Sequence, residues 1–214
     1  MTAEASDSPS FDESEKPSGL NRWSSWLLLT AIGLPMISAY LVFNTGWGIP
    51  SSSINKGDLV LPATSMVDHR VSNSDGEAID LFSGKKKWRW LIIGNNLCSD
   101  RCENNLYLSR QVHIRLGEKA VRLERIYLNT ETAFSPELSE RLSKDHPRLR
   151  QLHTDASEWT HLLANSNANQ VALNGENLYM VDQEGFVMMT YNRSHSGAEL
   201  LADVKRLLKY SYDE

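Results

Sequence analysis

The longest unbroken apolar stretch runs from Trp23 to Phe43, WSSWLLLTAIGLPMISAYLVF, with no charge in 21 positions. A helix of about 20 apolar residues crosses a hydrocarbon core of ~30 Å. Trp23, Trp26 and Tyr40 stand near the ends of the stretch, where amphipathic rings favour the interface. Pro35 lies mid-span, which a membrane helix accommodates with a kink. The pattern predicts one transmembrane helix. A cleaved signal peptide is the competing reading. Against it, the run is long for a signal core, an acidic tail precedes it, and no small-x-small cleavage site follows closely.

Beyond residue 66 the pattern alternates between short apolar runs and helical periodicity. Lys87 to Gly94 (KWRWLIIG) is apolar and β-rich, and predicts a strand. Residues 101–116 carry Leu106, Leu108, Val112, Ile114 and Leu116, the spacing of a helix packed on a sheet, with Gly117 as its stop. Val121 to Leu128 alternates apolar and charged positions, as a half-buried strand does. Residues 136–143 and 157–164 predict helices, with Ser135 and Ser157 as caps. Residues 177–181 and 186–191 predict two strands joined by the Asp182-Gln183-Glu184-Gly185 turn. Residues 197–210 form a closing amphipathic helix with Leu200, Leu201, Val204, Leu207 and Leu208 on one face.

A helical crossover makes the first two strands parallel, and a hairpin makes the last two antiparallel. The expected class is α/β: a thioredoxin-like, mixed four-stranded sheet flanked by helices and preceded by one transmembrane helix. The expected organisation is a disordered acidic tail (1–22), the anchor (23–43), a Gly/Ser/Pro-rich tether with a short strand at Leu59-Val60-Leu61 (44–66), and the folded domain (67–214).

Composition narrows the function. The 214 residues carry a formal charge of −5, with 41% apolar and 23% charged residues, ordinary values for a folded domain. There is no basic stripe for nucleic acid. Lys16 and Arg22 precede the span, and the next basic residue after it is Lys56. That excess favours a cytoplasmic N-terminus. The C-terminal domain would then lie outside, in a bacterium in the periplasm as a single-pass inner-membrane protein.

The chain has two cysteines, Cys98 and Cys102, directly after the first strand. Two are too few for a stapled scaffold. They read as a redox pair, half a metal site, or two unrelated core thiols. A thiol at a helix start meets unpaired N–H groups and the positive dipole end, which favour the thiolate. Arg101 and Lys85 to Lys87 add positive charge in the sequence vicinity, while Asp100 caps the helix or, if close, disfavours the thiolate. A disulfide brings Cβ atoms to ~3.8 Å, so at least one of two cysteines four apart must leave the regular helix. Two thiolates on one face also suit Cu(I).

The segment LIIGNNLCSDRCENNLYLSRQ resembles the core of the Sco/SenC family, thioredoxin-like copper chaperones of cytochrome c oxidase assembly. The membrane anchor, the strand ending in Cys-x-x-x-Cys and the late LYMVDQEGFVMMTY hairpin carry the resemblance. NKGDLVLPA, LYLSRQVHIRLG, RLERIYL and DVKRLLKY add a likeness to small anchored proteins from bacterial oxidase gene neighbourhoods. The resemblance implies chemistry at Cys98 and Cys102, copper as Cu(I), and a cytochrome c oxidase subunit or its assembly factors as partner. The family's third copper ligand is a histidine, and the matching stretch, residues 171–177, holds none. The cis-proline of thioredoxins is missing at about the same place. His153 is the alternative ligand beside Cys98 and Cys102. His113 is expected on a solvated helix face, His195 in a polar loop, and Asp182 in the hairpin turn. Of Met188 and Met189, at most one can face a site.

The expected function is an anchored factor that assists oxidase biogenesis through copper handling or thiol–disulfide exchange. The other reading is a non-catalytic docking module of the same assembly complex. A thioredoxin-superfamily peroxidase fits less well, because Leu97 stands where such enzymes set Thr or Ser.

Overall fold

The structure is a computed structural model that describes residues 22–46 and 54–211. The acidic tail, up to residue 21, and residues 47–53 of the tether lie outside the described residues. The chain divides into two compact units, Met1–Ser52 and Ser53–Glu214.

In the first unit, α1 spans Arg22–Thr45 with Pro35 inside it. It is long and apolar enough to cross a membrane. Trp26, Leu29, Ile32, Met36 and Phe43 are all exposed, so the helix is apolar on every side, as a lipid-facing span is. Ser38 Oγ donates to Leu34 O at 2.7 Å and Thr45 Oγ1 to Leu41 O at 2.6 Å. Those back-bonds hide the hydroxyls from an apolar surround.

In the second unit, seven strands form one sheet: β1 (Asp58–Ser65), β2 (Val71–Ser72), β3 (Trp88–Gly94), β4 (Leu123–Asn129), β5 (Leu149–Thr154), β6 (Leu178–Val181) and β7 (Phe186–Tyr191). The order across the sheet is β1-β7-β6-β3-β4-β5-β2. Strands β3, β4 and β5 run parallel, and every other pairing is antiparallel. The four central strands β7-β6-β3-β4 are those expected from the hydrophobic pattern, in the expected directions. Three further strands extend them. The tether segment supplies β1, an edge strand whose register shifts between Leu59 and Thr64 around a cis Leu61–Pro62 peptide. Pro is tolerated there because an edge strand has a free side.

β3 is buried at all seven positions, and its side chains divide between two cores. Trp88, Trp90 and Ile92 join the core under α2 (Asp100–Arg115), α3 (Pro136–Asp145) and α5 (Gly197–Tyr210). Leu91 and Ile93 join the opposite core with Trp159 and Leu163 of α4 (Ala156–Leu163). A 3₁₀ turn, Gly117–Arg122, links α2 to β4, starting at Gly117 with φ +58.

The caps follow local chemistry. Ser135 accepts from Leu138 N, and Ser196 forms a capping box with Glu199. The cap of α4 is Asp155 rather than Ser157; its carboxylate accepts from the Ser157 and Glu158 amides and sits below its usual range mainly because of a hydrogen bond from the Ser157 hydroxyl. His113 is buried at 7% exposure rather than solvated. Its Nε2 pairs with Leu123 O at 3.0 Å, because the C-terminal half of α2 lies flat on the start of β4. Burial pushes its pKa below the usual histidine value.

Candidate functional site

β3 ends at Gly94, where the backbone passes close against the Tyr127 ring. A Cβ there would stand 2.2 Å from Tyr127 Oη and 2.8 Å from its Cζ. The chain then turns through Asn95 to Leu97. Asn96 fastens this turn to the segment after β4: its N and Nδ2 donate to Glu131 at 3.0 and 2.6 Å, and its Oδ1 accepts from Asn129 Nδ2 and Ser135 N, both at 3.0 Å. Tyr127 Oη donates to Asn95 O at 2.7 Å. Burial is the main cause that raises the Tyr127 pKa and keeps the phenol neutral.

Cys98 sits at φ 34, off the helix. Ser99 is the N-cap of α2 with no side-chain cap bond, and the first backbone bond of the helix is Glu103 N to Ser99 O at 2.9 Å. Cys102 occupies the first helical turn. The left-handed backbone at residue 98 is what lets a pair four apart meet. Cys98 and Cys102 are joined, with Cα atoms 5.1 Å apart and sulfurs at 1.99 Å. Cys98 is 5% exposed and Cys102 0%. Leu97 beside them is 85% exposed. The pair sits at the N-terminus of α2, where first-turn amides lack helical partners.

The loop before β6 closes over the inner sulfur. Gly175, at φ +79, donates its N to Ile93 O at 2.8 Å. A Cβ at 175 would stand 2.5 Å from Cys102 Cβ and 2.7 Å from its Sγ. Asn105 Nδ2 on α2 holds the loop by donating to Gly175 O at 2.8 Å and Glu176 O at 2.9 Å. Arg101 Nη1 meets Glu176 Oε2 at 2.6 Å. Hydrogen bonds from Arg101, then Asn174, hold the Glu176 carboxyl below its usual range.

The other sequence candidates fall elsewhere. His153 lies one residue before the end of β5, in register with Asn129, which is in register with Gly94. Two strand spacings separate it from β3, roughly 10 Å. Its Nδ1 pairs with Glu131 O at 2.9 Å, and its ring meets Phe134 at 4.8 Å, which in turn meets Tyr127 at 6.0 Å. Phe134 and Tyr127 thus stand between His153 and the sulfurs. Among the described residues no group of three His, Cys, Asp or Glu side chains gathers into a metal-holding cluster. Lys85 to Lys87 precede β3, so the length of a seven-residue strand, about 23 Å, separates them from the cysteines. Only Arg101 of the basic residues noted in sequence lies at the site. His195 is a loop residue, accepting from Asn192 N at 3.1 Å, and Met189 is core. Asp182 shapes its turn by accepting from Glu184 N and Phe186 N at 2.9 and 2.8 Å. Sequence reasoning missed Asn105 and Tyr127, and it brought residues 171–177 to the site only through the Sco resemblance, with no role for Gly175. The Asn174-Gly175 dipeptide was a turn signal, but nothing local ties it to a cysteine 73 positions away.

Residues 88–211 match the sequence family described as transmembrane-like, thioredoxin-like, C-terminal domain. The chain belongs to that family. The match takes in β3, the cysteine pair, the loop over Cys102 and α5. Solved structures share the fold of this thioredoxin-like protein. Copper-bound yeast Sco1 is 17% identical, with a TM-score of 0.54 over 75% of this chain and 97% of that one. Apo Sco1 from Thermus thermophilus is 20% identical, with a TM-score of 0.53 over 73% and 99%. BsSco, described as a Sco-family cytochrome c oxidase assembly protein with a disulfide switch, is 15% identical, with a TM-score of 0.53 over 75% and 100%. The likeness at these identities is one of fold. None of the curated protein sequences matches the chain.

Proposed function

We propose that this protein is a membrane-anchored thiol–disulfide factor of respiratory oxidase biogenesis, acting through Cys98 and Cys102. The observation that carries the reading is the joined pair at the N-terminus of α2, with Cys98 in the turn before the helix beside the exposed Leu97 and Cys102 in the first helical turn. Cys98, in the turn, is the residue that a partner attacks or is attacked by, and Cys102, in the helix under Gly175, resolves.

In the reduced state, the Cys98 thiolate attacks one sulfur of a partner disulfide, and the partner's other sulfur leaves as thiolate. Cys102 then attacks the Cys98 sulfur of the mixed disulfide. The Cys98–Cys102 bond re-forms, and the second partner thiolate departs. The pair gives up two electrons and the partner gains them, with protons exchanged through solvent. An upstream dithiol protein returns the pair to the reduced state. The Sco-family fold relatives supply the setting: a cytochrome c oxidase copper-site dithiol is the partner of this reading. An extracytoplasmic domain on an inner-membrane anchor agrees with the basic residues ahead of the span and with a disulfide.

Copper fits the donor set less well. The loop over Cys102 presents Gly175, not an imidazole, and a side chain at that position would collide with the sulfur. His153 lies behind Phe134. The residues therefore do not assemble the three-ligand site expected of the Sco resemblance.

The test uses the full chain in detergent. The pair is equilibrated against dithiol/disulfide buffers and free thiols are counted by alkylation. A reversible two-electron couple is expected. Cys102→Ser should trap a mixed disulfide at Cys98 with glutathione disulfide, and Cys98→Ser should trap far less. Equal trapping by both variants, or none, overturns the assignment of roles. A parallel Cu(I) competition on the wild type, both variants and His153→Ala decides the copper question. Stoichiometric Cu(I) lost on removing either cysteine would replace exchange with copper carriage.

A further inference from the structure

A second site lies at the far end of α2. The helix is 16 residues long, so its last turn stands roughly 20 Å from the cysteines. There a cavity of about 310 Å³ is lined by Arg110, His113 and Ile114 of α2, Gly117, Arg125 of β4, and Pro147 and Arg148 before β5. Three arginines and a histidine face it, with no carboxylate in the lining.

Arg125 is the unusual member. It is 2% exposed and has no carboxylate partner among the described residues. A buried guanidinium normally costs several kcal/mol unless paired. Its Nε donates to Ser109 Oγ at 3.1 Å, and its Nη2 reaches Leu106 O at 3.2 Å and His146 Nδ1 at 3.5 Å. These bonds fasten β4 to α2 and explain part of the residue. They leave Nη1 without a hydrogen-bond partner among the described residues. Among the described residues Arg110 and Arg148 make no ion pair or hydrogen bond there either. Burial and the neighbouring Arg110 pull the Arg125 pKa down to about 10. Like charges have been brought together with nothing of opposite sign between them.

We propose that this cavity binds a phosphate group, free or carried on a small ester such as a lipid headgroup. A carboxylate offers two oxygens, enough for one guanidinium fork. Three arginines lining one cavity, the buried Arg125 with the half-buried Arg110 and the exposed Arg148, ask for a ligand with more acceptor oxygens and more charge, which a phosphate supplies. The cavity is larger than inorganic phosphate, and Ile114 and Pro147 add an apolar wall, so it has room for a small organic substituent. α2 presents its C-terminal end here, whose dipole favours cations; the arginines must outweigh it for an anion to bind.

The full chain, in detergent and phosphate-free buffer of low ionic strength, is titrated calorimetrically with inorganic phosphate, glycerol 3-phosphate, dihexanoyl phosphatidate and, as control, acetate. Saturable 1:1 binding of a phosphate ligand is expected, weakening as salt is added. Arg110→Ser/Arg148→Ser removes two forks from the cavity without touching the Arg125 bonds, and should weaken binding about tenfold or more. Preference for the phosphatidate assigns the site to a headgroup; equal binding of inorganic phosphate assigns it to free phosphate. No saturable phosphate binding, undiminished binding in the double variant, or equal binding of acetate overturns the proposal. Cysteine redox behaviour should be unchanged in the double variant.

Discussion

Gly175 and Cys102 are in backbone-to-sulfur contact: a methyl group at 175 would lie 2.7 Å from the Cys102 sulfur. The contact joins the loop before β6 to the first turn of α2 and sets the inner wall of the disulfide. Neither residue can be understood without the other, and they are 73 positions apart.

Gly175→Ala should therefore act on both stability and redox behaviour. The residue sits at φ +79, which costs an L-residue about 1 kcal/mol, and its Cβ would meet both side-chain and backbone atoms of Cys102. Overpacking adds about 1–3 kcal/mol. Denaturant unfolding should show the combined loss, and dithiothreitol should reduce the disulfide faster than in the wild type. Wild-type stability would mean the loop gives way freely.

Gly94 and Tyr127 form a second coupled pair. Gly94→Ala puts a methyl 2.2 Å from Tyr127 Oη and should cost about 2 kcal/mol. Tyr127→Phe alone leaves Asn95 O without its 2.7 Å bond and should cost about 1 kcal/mol. In the double variant the hydroxyl contact is gone while the ring carbon Cζ stays 2.8 Å from the new methyl, so part of the Gly94→Ala cost persists and the two single losses should add to somewhat more than the double variant shows. Strict additivity in the double-mutant cycle would refute the clash.

Asp203 is 2% exposed and accepts from Lys56 N at 2.9 Å, Gly57 N at 2.8 Å and Tyr191 Oη at 3.2 Å. It ties the chain ahead of β1 to α5. Asp203→Ala strands two buried donors and one part-buried donor and should cost about 2–4 kcal/mol. The loss should appear first in β1, so hydrogen exchange at residues 58–65 should accelerate more than at β3. Uniform acceleration would mean that Asp203 supports the whole domain and not this edge.

His146 sets a pH dependence. Burial, then Arg125 and Arg110, bring its pKa down to about 4, with Arg141 adding to the repulsion and Asp145 opposing it. The unfolded chain takes up this proton near the ordinary value, ~6.5. Between those two values the unfolded state binds more protons, so stability falls as pH is lowered from about 6.5 to about 4. His69 and His113, both lowered by burial, act in the same direction. The melting temperature should drop across this window, and less so in His146→Gln. An identical drop in that variant would place the effect on the other two histidines.

The apolar span, the buried run of β3, the alternation of β4, the Asp182–Gly185 hairpin and the amphipathic α5 were legible because each is a local pattern. Periodicity and turn chemistry act within a few residues. The need for one cysteine to leave the helix was legible too, since it follows from bond geometry alone, and Cys98 at φ 34 is how the chain meets it. β5, LRQLHT, carries only two large apolar residues and was not recognisable as a strand; pairing with β4 makes it one. The short strand expected at Leu59-Val60-Leu61 within the tether lengthens to the edge strand Asp58–Ser65 because β7 offers it a partner. Arg125, read as a charged position on a half-buried strand, is interior because α2 covers that face, and His113 is buried for the same reason. Local sequence determined the span, β3, β4, β6, β7 and the helices, and the position of the two cysteines between the first core strand and its helix. Tertiary structure alone decided what stands against those sulfurs and which charges lie buried together, because these depend on contacts between segments dozens of residues apart.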